Sequence, residues 1–243
     1  MSNCFPLLRR LAIATAALVL AFCPQPAPAS DQFTPAQRAE IVHILRDALK
    51  TDPSILRDAI EAVKNSEART AIESHRAALV APEDPVAGNK TGRVTIVEFY
   101  DTRCPYCRAM EPAMTQLLAE HHEVRLVYKD FPVLGPASVL AARALLAAQK
   151  QDGYERLRTA LMRTPQDYTQ DQIMAEAKRL GLDTTRLYRD MNDPAIKARL
   201  DANVRLAQDL NIDGTPALII GDQLVPGAMD LAELEKAVAA AQR

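Results

Sequence analysis

The chain has 243 residues, of which 48% are hydrophobic and 25% are charged, and these proportions are typical of a globular protein. Lys and Arg number 29 against 31 Asp and Glu, so the formal net charge is −2. This balance disfavours nucleic-acid binding through phosphate neutralisation. The four cysteines suggest two disulfides or a zinc site, but their positions along the chain argue against both.

The first residues have the pattern of a secretory signal peptide. Arg9 and Arg10 form a positive region, the run from Leu11 to Phe22 is apolar, and residues 27–29 (Ala-Pro-Ala) supply the small residues of a cleavage site. The apolar run is shorter than the roughly 20 residues that a membrane-spanning helix needs. We therefore expect residues 1–29 to be removed and the mature protein to be periplasmic.

Cleavage would remove two of the four cysteines, Cys4 and Cys23. Cys23 also ends a segment that resembles a lipobox, but the bulky Phe22 before it argues against a lipoprotein. The remaining pair, Cys104 and Cys107, is so closely spaced that a disulfide between the two thiols would constrain little of the unfolded chain. The pair therefore requires a chemical explanation.

Residues 30–88 are predicted to form a helical arm followed by a linker, with turn formers concentrated in residues 81–92. Thr34 can cap a first helix, and a second helix is expected from Pro53 to Leu79. A narrow apolar stripe cannot be buried by two helices alone, so we expect the arm to associate with copies of itself; an intramolecular cover and a flexible arm are the alternatives. The stripe consists of Ile41, Ile44, Leu45, Ala48, Leu49, Ile55, Leu56, Ala59, Ile60 and Val63.

Residues 89–243 are predicted to form an α/β domain, because a strand, a helix and a second strand follow one another as in a parallel βαβ unit. Residues 136–211 are helical in period, and a short hairpin and a last helix beginning at Asp230 follow them. The predicted segments are Val94–Tyr100, Pro105–His121 and Val124–Lys129, and then the hairpin strands Ala217–Ile220 and Gln223–Val225.

The motif Cys-Pro-Tyr-Cys, residues 104–107, lies at the turn between the first strand and its helix. A helix N-terminus stabilises a thiolate, so we expect Cys104 to be the exposed attacking thiol and Cys107 the more buried resolving thiol. Zinc requires four ligands, and neither a second cysteine pair nor a histidine near the motif completes a set. We therefore expect no metal and no cofactor other than the redox-active disulfide Cys104–Cys107.

Three residues outside the motif extend the expected site. Glu98 lies in an apolar strand, where a buried carboxylate would have a raised pKa and could exchange protons with Cys107; an outward-facing position is the alternative. Thr215-Pro216 precedes another apolar strand, and a cis bond there would leave the Thr215 backbone free to pair with an extended peptide. Lys129 is expected at a solvated strand end rather than facing Glu98.

Glu98, the motif at 104–107, Pro112 and Thr215-Pro216 together resemble the thioredoxin superfamily, and residues 136–211 resemble the helical insertion of the DsbA family. With its helical arm, the chain is most similar to the suppressor-of-copper-sensitivity C (ScsC) subgroup of that family. The resemblance implies an α/β thioredoxin fold with a DsbA-like insertion, preceded by the arm. It implies catalytic roles for Cys104, Cys107 and Glu98, and substrate-binding roles for Thr215, Pro216, Pro105 and Tyr106.

The function that the resemblance implies is thiol–disulfide exchange on exported cysteine-containing proteins. An N-terminal oligomerisation arm, together with Thr215 before the proline, favours an isomerase or reductase, because DsbC-like isomerases share both features. Tyr106, in place of the histidine of DsbA, also favours a less extreme oxidant. A membrane redox partner of DsbD or DsbB type is expected. The alternatives are a monomeric DsbA-type dithiol oxidase and a copper(I)-binding thiol protein linked to copper tolerance.

Overall fold

The computed structural model describes residues 33–164 and 168–242, and these residues divide into two compact units with the boundary between Ala59 and Ile60. The predicted signal peptide, including Cys4 and Cys23, lies outside the described residues. Among the residues described, no helix combines the length and apolar character needed to cross a membrane.

The N-terminal helices begin as the capping pattern predicts. Helix α1, Pro35–Thr51, starts with a capping box in which the Thr34 hydroxyl accepts a hydrogen bond from the Gln37 amide, and the Gln37 side chain accepts one from the Thr34 amide. Helix α2 spans Ser54–Ser74. The predicted continuation to Leu79 is interrupted at His75, and a separate short helix, α3, spans Arg76–Leu79.

The apolar stripe of the arm is exposed within this chain. Helix α1 buries none of its residues, and Ile72 is the buried residue of α2. Every large apolar side chain of the stripe is at least 40% exposed, namely Ile41, Ile44, Leu45, Leu49, Ile55, Leu56, Ile60 and Val63. Exposed apolar surface of this extent is typical of interaction sites.

In the part of the chain that the structure describes, five strands form one mixed sheet in the order β1-β3-β2-β4-β5. The central strands β2 and β3 are parallel and in register, which confirms the predicted βαβ unit, and the other neighbouring pairs are antiparallel. Strand β1 lies inside the segment predicted to be linker, where it pairs with the outer edge of β3. The strands are β1, Val86–Gly88; β2, Val94–Tyr100; β3, Val124–Asp130; β4, Ala217–Ile220; and β5, Gln223–Pro226.

The remaining helices cover the two faces of this sheet. Helix α4, Pro105–Glu120, connects β2 to β3. The helical insertion supplies α5, Pro136–Gln149; α6, Tyr154–Arg163; α7, Gln170–Arg179; α8, Thr184–Met191; and α9, Pro194–Asp209, and the last helix, α10, is Leu231–Ala241. Alternate residues of β2 enter different cores: Ile96 and Tyr100 belong to a core with α4 and α5 to α8 of the insertion, whereas Val97 and Phe99 belong to a core with the C-terminal part of α9. Burial on both faces explains the continuous apolar character of β2.

Candidate active site

The cysteine motif occupies the N-terminus of α4, directly after the central strand. Cys104 is the N-cap residue, with extended backbone angles, and Pro105 occupies the first turn, where a missing N–H costs no intrahelical hydrogen bond. Pro112 lies inside the same helix, as the family resemblance implies. The backbone N–H groups of the first turn therefore face the Cys104 sulfur and can stabilise negative charge on it.

Both cysteines are buried, which corrects the expectation that Cys104 is exposed. Cys104 is 4% exposed and Cys107 is fully buried, and both are free thiols. The cause is the loop before β4, which packs against the motif and places the Thr215 carbonyl oxygen 3.1 Å from the Cys104 sulfur. The order of accessibility is as predicted, but both thiols lie beneath the surface.

The two thiols have opposed acidities. The pKa of Cys104 is lowered to about 5, chiefly by hydrogen bonding from the Cys107 side chain and then by hydrogen bonding from Thr215 and from the backbone of the first helical turn. The pKa of Cys107 is raised, because its hydrogen bond to Cys104 and its burial favour the neutral thiol, and Glu98 adds negative charge nearby. Cys104 is therefore the thiolate and Cys107 its proton-bearing partner.

The Thr215-Pro216 peptide bond is cis. Thr215 is half-buried and Pro216 is buried, and both lie beside the cysteine motif. A groove of about 770 Å³ extends from this loop towards α2. Its walls include Lys64, Glu67 and Ala68 from α2, and Leu210, Ile212, Thr215 and Pro216 from the segment before β4.

Glu98 faces inward and is 1% exposed, which confirms its predicted buried position and not the outward-facing alternative. Its pKa is raised to about 7, because burial outweighs the opposing effect of Arg158. The Arg158 guanidinium lies 3.7 Å from the Glu98 carboxylate and comes from α6 of the insertion. The carboxylate, the cation and the two thiols are thus electrostatically coupled.

Lys129 does not lie at a solvated strand end, so that expectation was wrong. It is 2% exposed, and its ammonium group donates to the Asp84 carboxylate at 2.5 Å and to the Ala78 carbonyl at 2.7 Å. The segment between α3 and β1 folds over the end of β3 and supplies this carboxylate. Lys129 therefore forms a buried ion pair with Asp84, and the cation beside Glu98 is Arg158.

Asp101 is a further site residue that the sequence analysis missed. Its carboxylate accepts hydrogen bonds from the backbone amides of Arg103 at 2.8 Å, Val133 at 3.0 Å and Leu134 at 3.1 Å. The first amide belongs to the turn before Cys104, and the other two belong to the loop after β3. Asp101 thus ties the cysteine turn to a neighbouring loop, and its position between a strand and the motif was the available signal.

An apolar surface lies next to the motif. Tyr106 is 67% exposed, and Val133 and Leu134, which Asp101 holds beside the motif, are also exposed. Pro105 is exposed at the same helix end. The predicted substrate contacts of Pro105 and Tyr106 are therefore open to solvent, whereas Pro216 is covered.

A family model for the DSBA-like thioredoxin domain matches residues 95–239, a segment that contains Glu98, both cysteines and the cis-proline loop. The chain belongs to the DsbA-like thioredoxin family. The mixed sheet, the insertion and the position of the cysteine pair are those of a DsbA-like thioredoxin domain.

Two solved structures are similar to this DsbA-like chain. A thioredoxin-like oxidoreductase from Silicibacter pomeroyi is 41% identical, with a TM-score of 0.67, and the match covers 69% of this chain and 97% of that one. A linker-deletion mutant of ScsC from Proteus mirabilis is 28% identical, with a TM-score of 0.70, and the match covers 88% and 99% of the two chains.

A sequence relative of this DsbA-like chain is a far longer protein. The chain is 30% identical over 169 residues to the Na(+)/H(+) antiporter NhaA 3 of Salinispora tropica, and the match covers 67% of this chain but 26% of that protein. The chain thus spans about a quarter of the length of this antiporter relative.

Proposed function

We propose that the protein is a periplasmic thiol–disulfide oxidoreductase that acts as an oligomeric isomerase or reductase of exported proteins. The observation that carries the thiol–disulfide chemistry of this proposal is the asymmetric thiol pair, in which Cys104 has a pKa of about 5 and Cys107 is buried and protonated. Family membership supports the same chemistry. The redox group is the Cys104–Cys107 pair alone.

The reaction begins when the Cys104 thiolate attacks a substrate disulfide, forming a mixed disulfide and releasing one substrate thiolate. Cys107 then gives its proton to Glu98, and the resulting thiolate attacks the Cys104 sulfur. A Cys104–Cys107 disulfide forms and the second substrate thiolate leaves, so the substrate disulfide is reduced and the protein dithiol is oxidised. In isomerisation a substrate thiol instead resolves the mixed disulfide, and the protein is returned unchanged.

Substrate binding is proposed to use the cis-proline loop and the exposed helix end. The groove beside Thr215 is large enough for an extended peptide segment, and an extended peptide can pair with the backbone of an uncovered loop. Exposed Tyr106 and Pro105 offer apolar contacts next to Cys104 in the motif. A membrane redox partner of DsbD or DsbB type would reset the cysteine pair after turnover.

The exposed stripe of α1 and α2 supports self-association. Leu45 is 57% exposed and Leu56 is 54% exposed, and the neighbouring stripe positions are similarly open. Association of copies through this stripe would remove the apolar surface from water and would place several thiol pairs in one assembly. An isomerase benefits from that arrangement because a mixed disulfide on one chain can be resolved near another.

The test compares two double variants of the full chain. Leu45→Glu with Leu56→Glu introduces two negative charges on the stripe, and the control, Lys50→Glu with Arg57→Glu, reverses two positive charges at exposed positions outside it. We expect the stripe variant to become monomeric by light scattering and to lose refolding activity on a scrambled disulfide protein, while still reducing a small disulfide peptide. An unchanged mass and unchanged refolding would contradict the isomerase proposal.

A dithiol oxidase is the second candidate, and the low pKa of Cys104 favours it, because strongly oxidising cysteine pairs have stabilised thiolates. Equilibration with glutathione separates the candidates. A reduction potential of about −120 mV would support an oxidase of DsbA type, and one of about −180 mV would support an isomerase.

A further inference from the structure

Arg158 is a fully buried cation in the helical insertion, and two carboxylates of the catalytic region surround it. Its guanidinium makes a bidentate ion pair with Glu111 of α4, at 2.8 and 2.7 Å. The Nη2 atom of Arg158, which donates to Glu111, also lies 3.7 Å from the Glu98 carboxylate. Glu111 belongs to the helix that carries both cysteines, so one side chain joins the insertion, the active-site helix and the central strand.

Aromatic rings hold the guanidinium in this position. The Cζ atom of Arg158 lies 4.8 Å from the Tyr100 ring centroid and 4.1 Å from the Tyr128 ring centroid, within the range of cation–π attraction. Tyr128 is also the neighbour of Glu98 across the parallel strands. Among the residues described, Arg158 is the cation that forms an ion pair with Glu98, since Lys129 is bound to Asp84.

We propose that Arg158 is a positioning residue for the resolving step: it holds Glu98 as a carboxylate beside the cysteine pair and thereby keeps a proton acceptor available for Cys107. This inference rests on the proposed role of Glu98 as the proton acceptor. Glu98 Oε2 has no hydrogen-bond partner in the described part of the chain, so the nearby guanidinium is its principal stabilising contact. Without that positive charge, a buried carboxylate takes up a proton.

The charges around Glu98 determine the direction in which its pKa should change when a neighbouring residue is replaced. Burial raises the pKa of Glu98 to about 7, and Arg158 opposes this rise. Removing Arg158 should therefore raise the pKa of Glu98 further, whereas removing a neighbouring carboxylate should lower it. The titratable and charged groups that face Glu98 are Arg158, Glu111, Glu155, Cys104, Cys107 and Tyr128.

The resolving step can be isolated by stopped flow, with reduced protein and excess disulfide peptide, as the phase whose rate does not depend on peptide concentration. Its rate is measured against pH. The wild-type midpoint is expected near 7. In Arg158→Met the midpoint should rise by roughly 1 to 3 pH units, and in Glu111→Gln it should fall. Shifts in opposite directions are not expected from loss of packing alone.

Two further variants separate the effect of charge from the effect of packing. Arg158→Lys retains the charge and should give a midpoint between those of the wild type and Arg158→Met. Arg156→Met removes a charge from an exposed position of the same helix and should leave the midpoint in place. If Arg158→Met does not fold, Arg158→Lys should still raise the pH midpoint and Glu111→Gln should still lower it. Replacement of Glu111 should be tolerated because its side chain is 21% exposed.

Glu98→Gln separates this inference from the proposed role of Glu98. If Glu98→Gln leaves the pH profile unchanged, Glu98 is not the acceptor and both proposals fail. If Glu98→Gln abolishes the titration while Glu111→Gln and the Arg158 variants leave its midpoint in place, the role of Glu98 stands and that of Arg158 is overturned. A uniform loss of rate at every pH in the Arg158 variants would also overturn it.

Discussion

The Cys104 sulfur lies 3.1 Å from the carbonyl oxygen of Thr215, across a sheet that brings together two segments from opposite ends of the catalytic domain. Thr215 therefore covers the nucleophile and also precedes the cis-proline at the head of the proposed substrate groove. The Cys104 thiol can donate a hydrogen bond to this carbonyl oxygen, and a bound peptide would displace or share the contact, so Thr215 can influence both the acidity of Cys104 and substrate binding.

Replacement of Thr215 tests its effect on the thiolate. Thr215→Val keeps the shape of the side chain but removes the hydroxyl, whose hydrogen bond lowers the pKa of Cys104. We expect the pKa to rise above about 5, measured as the pH midpoint of alkylation by iodoacetamide. Thr70→Val, on exposed α2, is the matched control. If the pH midpoint of alkylation is unchanged in Thr215→Val, the Thr215 hydroxyl does not contribute to the low pKa of Cys104.

Single serine variants test the assignment of the two thiols. Cys107→Ser retains the attacking thiol but cannot resolve it, so a long-lived mixed disulfide with a substrate peptide should accumulate in the intact-mass spectrum. Cys104→Ser should form no such adduct, because the remaining thiol is fully buried and its pKa is raised. The reverse pattern of adducts would exchange the two roles.

Glu98 should make stability depend on pH. Its pKa in the folded protein, about 7, exceeds the ordinary value of 4.5, so its contribution is fully present below about 4.5 and is lost as pH rises through about 7. Relative to wild type, Glu98→Gln should therefore gain stability across this window, by up to about 3 kcal/mol in the free energy of unfolding. Urea titrations at several pH values measure the difference.

The control for this measurement is Glu120→Gln, at an exposed position of α4. A Glu98→Gln difference that is constant with pH, like that of a solvent-exposed substitution, would contradict the raised pKa of Glu98.

The ion pair of Lys129 with Asp84 should be important for stability. Both side chains are 2% exposed, so Asp84→Asn leaves a buried ammonium group without its counter-charge, and we expect a loss of about 3–5 kcal/mol in urea unfolding. The control is Asp193→Asn, which removes the carboxylate partner of Lys150 at a half-exposed pair but retains a capping side chain. It should cost about 1 kcal/mol or less. Equal losses of unfolding free energy in the two variants would contradict the prediction that the buried ion pair contributes more to stability than the half-exposed one.

Local patterns along the chain predicted the helices, the βαβ unit and the hairpin, because capping, turn residues and side-chain periodicity act over a few residues. The capping box at Thr34 and the parallel pairing of β2 with β3 are the clearest examples. The cysteine motif was equally local, since a thiol at a helix N-terminus meets the same unpaired amides in any fold. The buried position of Glu98 followed from its apolar neighbours in the strand.

The partners of the buried charges depended on packing between distant segments. Arg158 lies in an amphipathic helix with Arg156 and Arg163, and side-chain spacing does not reveal which of these cations meets Glu98. The ion pair of Lys129 could not be predicted from local patterns, because its partner Asp84 belongs to a segment that was predicted to be linker. The motif thus predicted the class of chemistry from short-range effects. The burial of Cys104 and the charge environment of Glu98 depend instead on the insertion and the cis-proline loop, which pack against one end of the sheet.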